Sequence, residues 1–216
     1  LYSENQIILI VRKEIEEIIK ERFSDYTINP TEITSGLCLN GAAIFHEEHL
    51  PILNNEKPLS SENKLIAFQL TKTISINDFN KEILLASEIT LQCKIDFIKY
   101  LWDLFRFSNQ YINLDFNHFI GNQNYQSHHS LLRVNEDKIH IGDNCIILAG
   151  VILDATNGPI ILDDNSIIGN GAIIEGPVYI GKNSTISSSG IIKSNTIIGP
   201  MCKMGGEICH CNILGY

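Results

Sequence analysis

Few side chains in this 216-residue chain are placed to do chemistry. Cys209, His210 and Cys211 stand together, two thiols flanking an imidazole, which is ligand chemistry for zinc. Alternate residues of a strand point to opposite faces, so His210 in a strand would face away from both cysteines. Tetrahedral zinc also takes four ligands, usually spaced further apart. The triplet therefore reads as structural or interfacial, with His210 as an acid–base residue at a subunit groove as the alternative, and no metal site is assigned. His128 and His129 lie in a polar stretch and read as solvated. Asp103, after Trp102, opens a helical pattern, where a cap competes with a catalytic carboxylate. Arg12 and Lys13 follow an apolar run, where open α/β sheets place nucleotide sites, and a solvated face is the competing reading. Catalytic and cofactor-binding residues stay unassigned.

The elements that must carry these residues are clearest in the second half. From Leu162 an aliphatic residue recurs every six positions: Leu162, Ile168, Ile174, Ile180, Ile186, Ile192, Ile198 and Met204. The fifth position stays small or β-branched, as at Ser166, Ala172, Val178, Ser184, Gly190 and Thr196. A hexapeptide period is the signature of a parallel β-helix, in which three short strands make one triangular coil. The first residue of each hexad points inward, and the fifth must fit near a corner. The second is often glycine (Gly169, Gly181, Gly199, Gly205) and is read as a turn that uses positive φ. About four coils are expected over residues 139–215.

The period breaks twice. Ile141, Ile147 and Leu153 are in phase with each other but three residues out of phase with Leu162. Asn157-Gly158-Pro159 sits at that slip and reads as a short corner insertion. At the other end, strict register puts His210 at an inward position, a poor place for an unpaired imidazole. A second register slip there is the simpler reading.

Upstream the six-residue period is absent, and residues 1–120 hold every Phe and the single Trp. Residues 6–11 read as a buried strand. Residues 12–23 place Ile15, Ile18, Ile19 and Phe23 at helical spacing, completing a β–α unit. Strands are expected over residues 36–45 and 64–72, and a capped helix from residues 76–78 to 87. Residues 100–109 read as a turn into a helix running toward Phe119. The Asn- and Gln-rich stretch after residue 120 reads as a linker. The domains expected are an α/β segment over 1–120, a linker over 121–138 and a solenoid over 139–216.

Composition narrows the classes. A net charge of −9 argues against nucleic acid, whose phosphates are met by Lys and Arg. No apolar run approaches the roughly 18–20 residues a membrane span needs. Six scattered cysteines form no disulfide framework, so the cytoplasm is the expected compartment. The first residue is Leu rather than Met, which is read as a start inside a longer protein.

Three segments carry a family resemblance. Leu101-Trp102-Asp103-Leu104-Phe105 is similar to a "PWDLF" segment, with Leu101 for the usual Pro. Leu153-Asp154-Ala155-Thr156-Asn157-Gly158-Pro159-Ile160 is similar to "LDAENGPI". Ile198-Gly199-Pro200-Met201-Cys202-Lys203-Met204-Gly205-Gly206-Glu207 is similar to "IGPHCKVGGE". The chain thus resembles bacterial sugar nucleotidyltransferases of the bifunctional N-acetylglucosamine-1-phosphate uridyltransferase/glucosamine-1-phosphate acetyltransferase type, in a Bacteroidota-like branch. The resemblance implies a partial nucleotidyltransferase-like Rossmann segment followed by a left-handed parallel β-helix of acyltransferase type. It also implies a transferase parent protein using a sugar phosphate, a nucleoside triphosphate, Mg²⁺ and acetyl-CoA, and a homotrimer.

The family's opening Gly-rich phosphate loop with its Arg has no counterpart here, and its His-bearing later coils fall beyond residue 216. The resemblance therefore implies an internal fragment or a decayed copy, with no cofactor of its own and without either catalytic centre. Strand edges exposed over residues 208–216 are expected to drive self-association without fixed stoichiometry. The alternatives are a hexapeptide acyltransferase whose N-terminal half only binds sugar, and a non-catalytic scaffold or regulatory subunit.

Overall fold

The six-residue period is realised as three parallel five-stranded sheets that the chain visits in turn. The computed structural model describes residues 7–53, 57–88, 90–119 and 124–215. Contacts divide the chain into two units, Leu1–Lys99 and Tyr100–Tyr216.

In the second unit, Gln126–Ser127, Ile146–Ile147, Ile167–Ile168, Thr185–Ile186 and Lys203–Met204 form one sheet. Leu132–Val134, Ile152–Asp154, Ile173–Glu175, Ile191–Ile192 and Glu207–Ile208 form the second. Ile139–Ile141, Ile160–Leu162, Val178–Ile180, Thr196–Ile198 and Asn212–Ile213 form the third. The ladders thus begin inside the stretch expected as a linker, because Gln126–Ser127 and Leu132–Val134 find parallel partners in the next coil. Residues 121–123 lie outside the described set.

Register explains both breaks in the period. Ile180 pairs with Leu162 and Ile198 with Ile180, a step of 18 residues, or three hexads. Ile141 pairs with Leu162, Ile147 with Ile168 and Leu153 with Ile174, a step of 21. The three extra residues sit in the corner between Ile152–Asp154 and Ile160–Leu162, as the Asn157-Gly158-Pro159 signal indicated. The last coil contracts instead. Ile208 pairs with Ile192 and Ile213 with Ile198, steps of 16 and 15. Ile208 therefore takes the inward place that strict register assigns to His210, and the imidazole stays at the surface.

Stacking parallel strands brings the inward residue of each coil onto that of the next. Ile168, Ile174, Ile180, Ile186, Ile192 and Ile198 are all fully buried. Burial of each such side chain contributes about 1.5–3 kcal/mol before chain entropy is counted. At the small fifth positions Ser184 and Ser166 find partners for their hydroxyls, whereas the buried Thr196 Oγ1 has none. Ser184 Oγ donates to Gly199 O at 2.9 Å and accepts from Cys202 N at 3.0 Å. Cys145 Sγ lies 3.1 Å from Ser166 Oγ.

The turn glycines require a correction. Positive φ falls on the fourth hexad position, not the second: Asn144, Asn165, Asn183 and Met201 have φ of 58–60° along one corner, and Gly171 and Ser189 turn another. The second-position glycines answer to crowding. A Cβ on Gly142, Gly169, Gly181 or Gly199 would lie 2.4–2.8 Å from backbone atoms of the following coil. Their absent side chain lets the corners close at strand spacing.

The first unit is α/β. Ile8–Leu9 pairs in parallel with Thr27–Ile28 across a short 3₁₀ turn, Lys13–Ile15, and the helix Glu16–Arg22. The strand is half-buried rather than buried, and Gln6 lies outside the described residues. Ile18 and Phe23 of the expected apolar face are exposed, since no described layer covers that helix. A four-stranded mixed sheet runs Gly36–Leu39, Lys64–Leu70, Leu59–Ser61, Leu91–Gln92. The first two pairings are antiparallel and the last parallel. The strand expected over 36–45 stops at Leu39, because Asn40 turns the chain, donating from Nδ2 to Leu65 O and accepting from Ala42 N. The helix Phe79–Glu88 packs Phe79, Ile83 and Ala86 on Phe68 and Leu70. Its cap is Ser75, which accepts from Asn77 N, ahead of the expected start at residue 76.

Three substitutions separate these causes. Ile180→Asp buries an unpaired charge and should destabilise by about 4 kcal/mol or more in chemical denaturation. Gly169→Ala should lose about 1–3 kcal/mol through overpacking alone. Gly171→Asn, at an exposed positive-φ position, should stay within about 0.5 kcal/mol of the parent. Equal losses at Gly169 and Gly171 would contradict the assignment of crowding to the second position.

Candidate functional site

In the third sheet the three-residue strands put their first and third residues inside and the middle one outside. On the third sheet the outward column reads His140, Ile161, Tyr179, Ile197 and Asn212. The helix Asp103–Asp115 and the 3₁₀ turn Phe116–Phe119 lie over this column. The Phe119 ring centroid is 5.4 Å from that of His140 and 6.2 Å from that of Tyr179. Ser108 Oγ reaches Asn212 Oδ1 at 3.2 Å. This cover accounts for Ile161, an outward residue that is only 1% exposed.

At the edge of the covered face sits a hydrogen-bonded group of titratable side chains. The Tyr179 hydroxyl donates to Asp163 Oδ2 at 2.8 Å, and Asp163 Oδ1 accepts from Asp164 N at 2.9 Å. Asp164 accepts from the Lys182 ammonium at 3.0 Å and from Asp143 N at 3.0 Å. The Lys182 hydrogen bond, followed by the Asp143 N–H, holds the Asp164 carboxyl below its usual range. Burial, then the hydrogen bond to Asp163, pushes the Tyr179 phenol far up, so it stays a neutral donor. Burial lowers the His140 imidazole despite the pull of Asp163, Asp164 and Asp143. Its Nδ1 is buried with no hydrogen-bond partner. A neutral phenol, paired carboxylates and a neutral imidazole under a phenylalanine make a lock that holds the helix. They present no free nucleophile or base to solvent.

The residues singled out in the sequence fall apart in space. Asp103 is buried, and its Oδ2 accepts from Tyr100 N at 2.9 Å, reaching back over the first turn as a capping residue does. Arg12 and Lys13 are exposed at the entry to the first helix. His128 and His129 are exposed, beside the strand Gln126–Ser127 rather than in a linker. His128 Nδ1 lies 2.7 Å from Ser130 Oγ. The triplet 209–211 forms the third corner of the last coil. There His210 has φ 51° and stacks beneath Asn195, the left-handed residue of the preceding coil. Among the described residues no group of three or more His, Cys, Asp or Glu is arranged to hold a metal.

A shallow cleft of about 150 Å³ in the first unit is lined by Ser60, Asn63, Leu65, Ser87, Thr90 and Gln92. Ser60 Oγ is 2.7 Å from Thr90 Oγ1 and accepts from Gln92 Nε2 at 2.8 Å. The lining holds hydroxyls and amides and no charged group, so it suits a neutral polar ligand.

His140, Tyr179 and Phe119 escaped sequence reading. The repeat draws attention to inward positions, whereas these meet on the outside, across a coil lengthened by the insertion. The available signal was two large polar rings immediately before inward isoleucines, at His140 and Tyr179. No protein-family model matches the chain, and no curated protein matches it.

The lock makes stability depend on pH. With His140 lowered by burial from its usual 6.5, the unfolded chain binds the extra proton first as pH falls. Stability is therefore full above about pH 6.5 and is lost as pH falls from there toward the folded-state value. Denaturation midpoints should drop between about pH 7 and pH 5. His140→Leu should flatten that slope, and an unchanged slope would remove His140 as its source.

Proposed function

We propose that this chain is part of a sugar-phosphate nucleotidyltransferase/acyltransferase of nucleotide-sugar biosynthesis, acting toward a UDP-N-acetylglucosamine-like product. In this reading the solenoid is wound left-handed, and residues 1–120 are a partial nucleotidyltransferase-like segment. The parent protein is a cytoplasmic homotrimer that uses a sugar phosphate, a nucleoside triphosphate, Mg²⁺ and acetyl-CoA.

One observation carries the proposal. The corner that breaks the hexad period, between Asp154 and Ile160, falls within the segment 153–160 on which the family resemblance rests. The segment 198–207 likewise supplies the tight Gly199 corner and the strand Lys203–Met204. Local sequence and departures from the repeat thus coincide.

These 216 residues are assigned neither catalytic centre. Uridylyl transfer stabilises charge at an α-phosphorus with Mg²⁺ and donors, and the Ser60 cleft offers a phosphate no cation. Acyl transfer uses a base on the amine that attacks the thioester. His140 packs against Phe119 on the covered face and is not assigned that role. The neutral cleft also favours a second reading, in which the parent is an acyltransferase alone and its N-terminal half binds sugar through hydroxyls and amides.

The 216-residue chain should release neither pyrophosphate from a nucleoside triphosphate plus sugar phosphate nor free thiol from acetyl-CoA plus amino sugar. Release abolished by a substitution within the chain would overturn that assignment. The longer protein should be trimeric by light scattering and show at least the thiol release. Absence of both activities there would sink the enzymatic reading, and thiol release without pyrophosphate would select the acyltransferase.

A further inference from the structure

We propose that the corner Cys209-His210-Cys211 is a thiol–disulfide exchange site, with Cys209 as the attacking thiol and Cys211 as the resolving one. Its substrate class is a low-molecular-weight disulfide.

The site exists because the last coil contracts. Strict register would send His210 inward, whereas the 16- and 15-residue steps leave it on the surface in a left-handed turn. His210 there lies beneath Asn195 of the coil above, and Asn195 Nδ2 is 3.0 Å from His210 Nε2. An amide nitrogen only donates, so Nε2 accepts and the ring proton resides on Nδ1. Nδ1 in turn lies 2.8 Å from Cys209 Sγ. That contact sets the imidazole against the sulfur, and the thiolate is the form of a cysteine that attacks disulfides.

The second thiol is turned back onto the backbone of Cys209. Cys211 Sγ donates to Cys209 O at 3.2 Å. An extended strand holds alternate Cα atoms about 6.6–6.8 Å apart, the far limit of a disulfide, and the turn at His210 shortens that span. Competing thiols are less available. Cys145 is fully buried, and burial pushes the Cys38, Cys93 and Cys145 thiols up.

The steps balance. Cys209 gives its proton to solvent, and the thiolate, held by the His210 Nδ1–H, attacks one sulfur of the small disulfide. That S–S bond breaks, and the departing thiolate leaves with the electron pair and takes up a proton. Cys211 then gives its proton to solvent, and its thiolate attacks Cys209 Sγ and displaces the second small thiolate, which leaves with the electron pair and takes up a proton. The protein dithiol is oxidised to a disulfide and the small disulfide is reduced to two thiols.

The test treats the 216-residue chain with oxidised glutathione and maps products by peptide mass spectrometry. The wild type should end as a Cys209–Cys211 disulfide. Cys211→Ser should accumulate glutathione on Cys209, and Cys209→Ser should give no product at Cys211 over ten wild-type half-times. His210→Asn keeps a residue that tolerates the left-handed turn but loses the Nδ1–H donor. It should slow the first step about tenfold or more at an unchanged melting temperature. A first adduct on Cys202 or Cys211, or a wild-type rate in His210→Asn, would overturn the assignment. Should His210→Asn unfold the last coil, the site of the first adduct in Cys211→Ser decides alone.

Discussion

Strand-to-strand spacing between successive coils governs the second unit. Parallel strands lie about 4.8 Å apart, and each coil takes its backbone hydrogen bonds from the coils above and below. At that distance, inward side chains stack on their own kind, which an isoleucine column satisfies with full burial. Backbone meets backbone at the corners, so glycine is required where a Cβ would lie within 2.8 Å of the following coil. Corner reversals fall on residues that tolerate positive φ, chiefly Asn and Gly. At Ser184 a buried hydroxyl survives because the same closeness supplies partners. Length can change only where stacking is not interrupted, and both the insertion after Asp154 and the contraction of the last coil are confined to corners.

The outside of the solenoid is under no such constraint, and its chemistry accumulates there. The third sheet accepts the helix Asp103–Asp115 and the turn that follows it. The fit depends on Phe119 against His140 and Tyr179, and on the Tyr179–Asp163 hydrogen bond below. Asp163 is a buried carboxylate made tolerable by a phenol, a backbone amide and the neighbouring Lys182. The arrangement couples packing to protonation without offering a reactive group, which is why it reads as a lock.

His140 and His210 show how the register assigns roles to one residue type. His140 lies in a regular strand, its ring is covered, and burial keeps it neutral. His210 lies where the register fails, and both its ring nitrogens have partners at the surface. The same contraction sets two cysteines on either side of a left-handed turn. A defect in the repeat thus produces the most chemically distinctive corner of the unit.

The sequence by itself determined the solenoid. A hexad period is visible because each inward position is chosen by one local rule, and the slip at Asn157-Gly158-Pro159 shows as a phase change. The helix at Asp103 and the strand at Lys64 were also legible, since periodicity and capping are local signals. Other features were not. The second-position glycines looked like turns, because the backbone they avoid belongs to a chain segment 16–22 residues away. The apolar stripe at Ile18 and Phe23 promised burial, but a stripe does not say whether a layer exists to cover it. The lock joins Phe119, His140, Asp163 and Tyr179 from separate coils and a helix, and no spacing rule links them. The place of His210 depended on how far the last coil contracts, which only the pairing of Ile208 with Ile192 and Ile213 with Ile198 decides. Local rules fix what each strand is. Contacts between distant segments fix what each outward side chain meets, and a linear pattern carries no record of those distances.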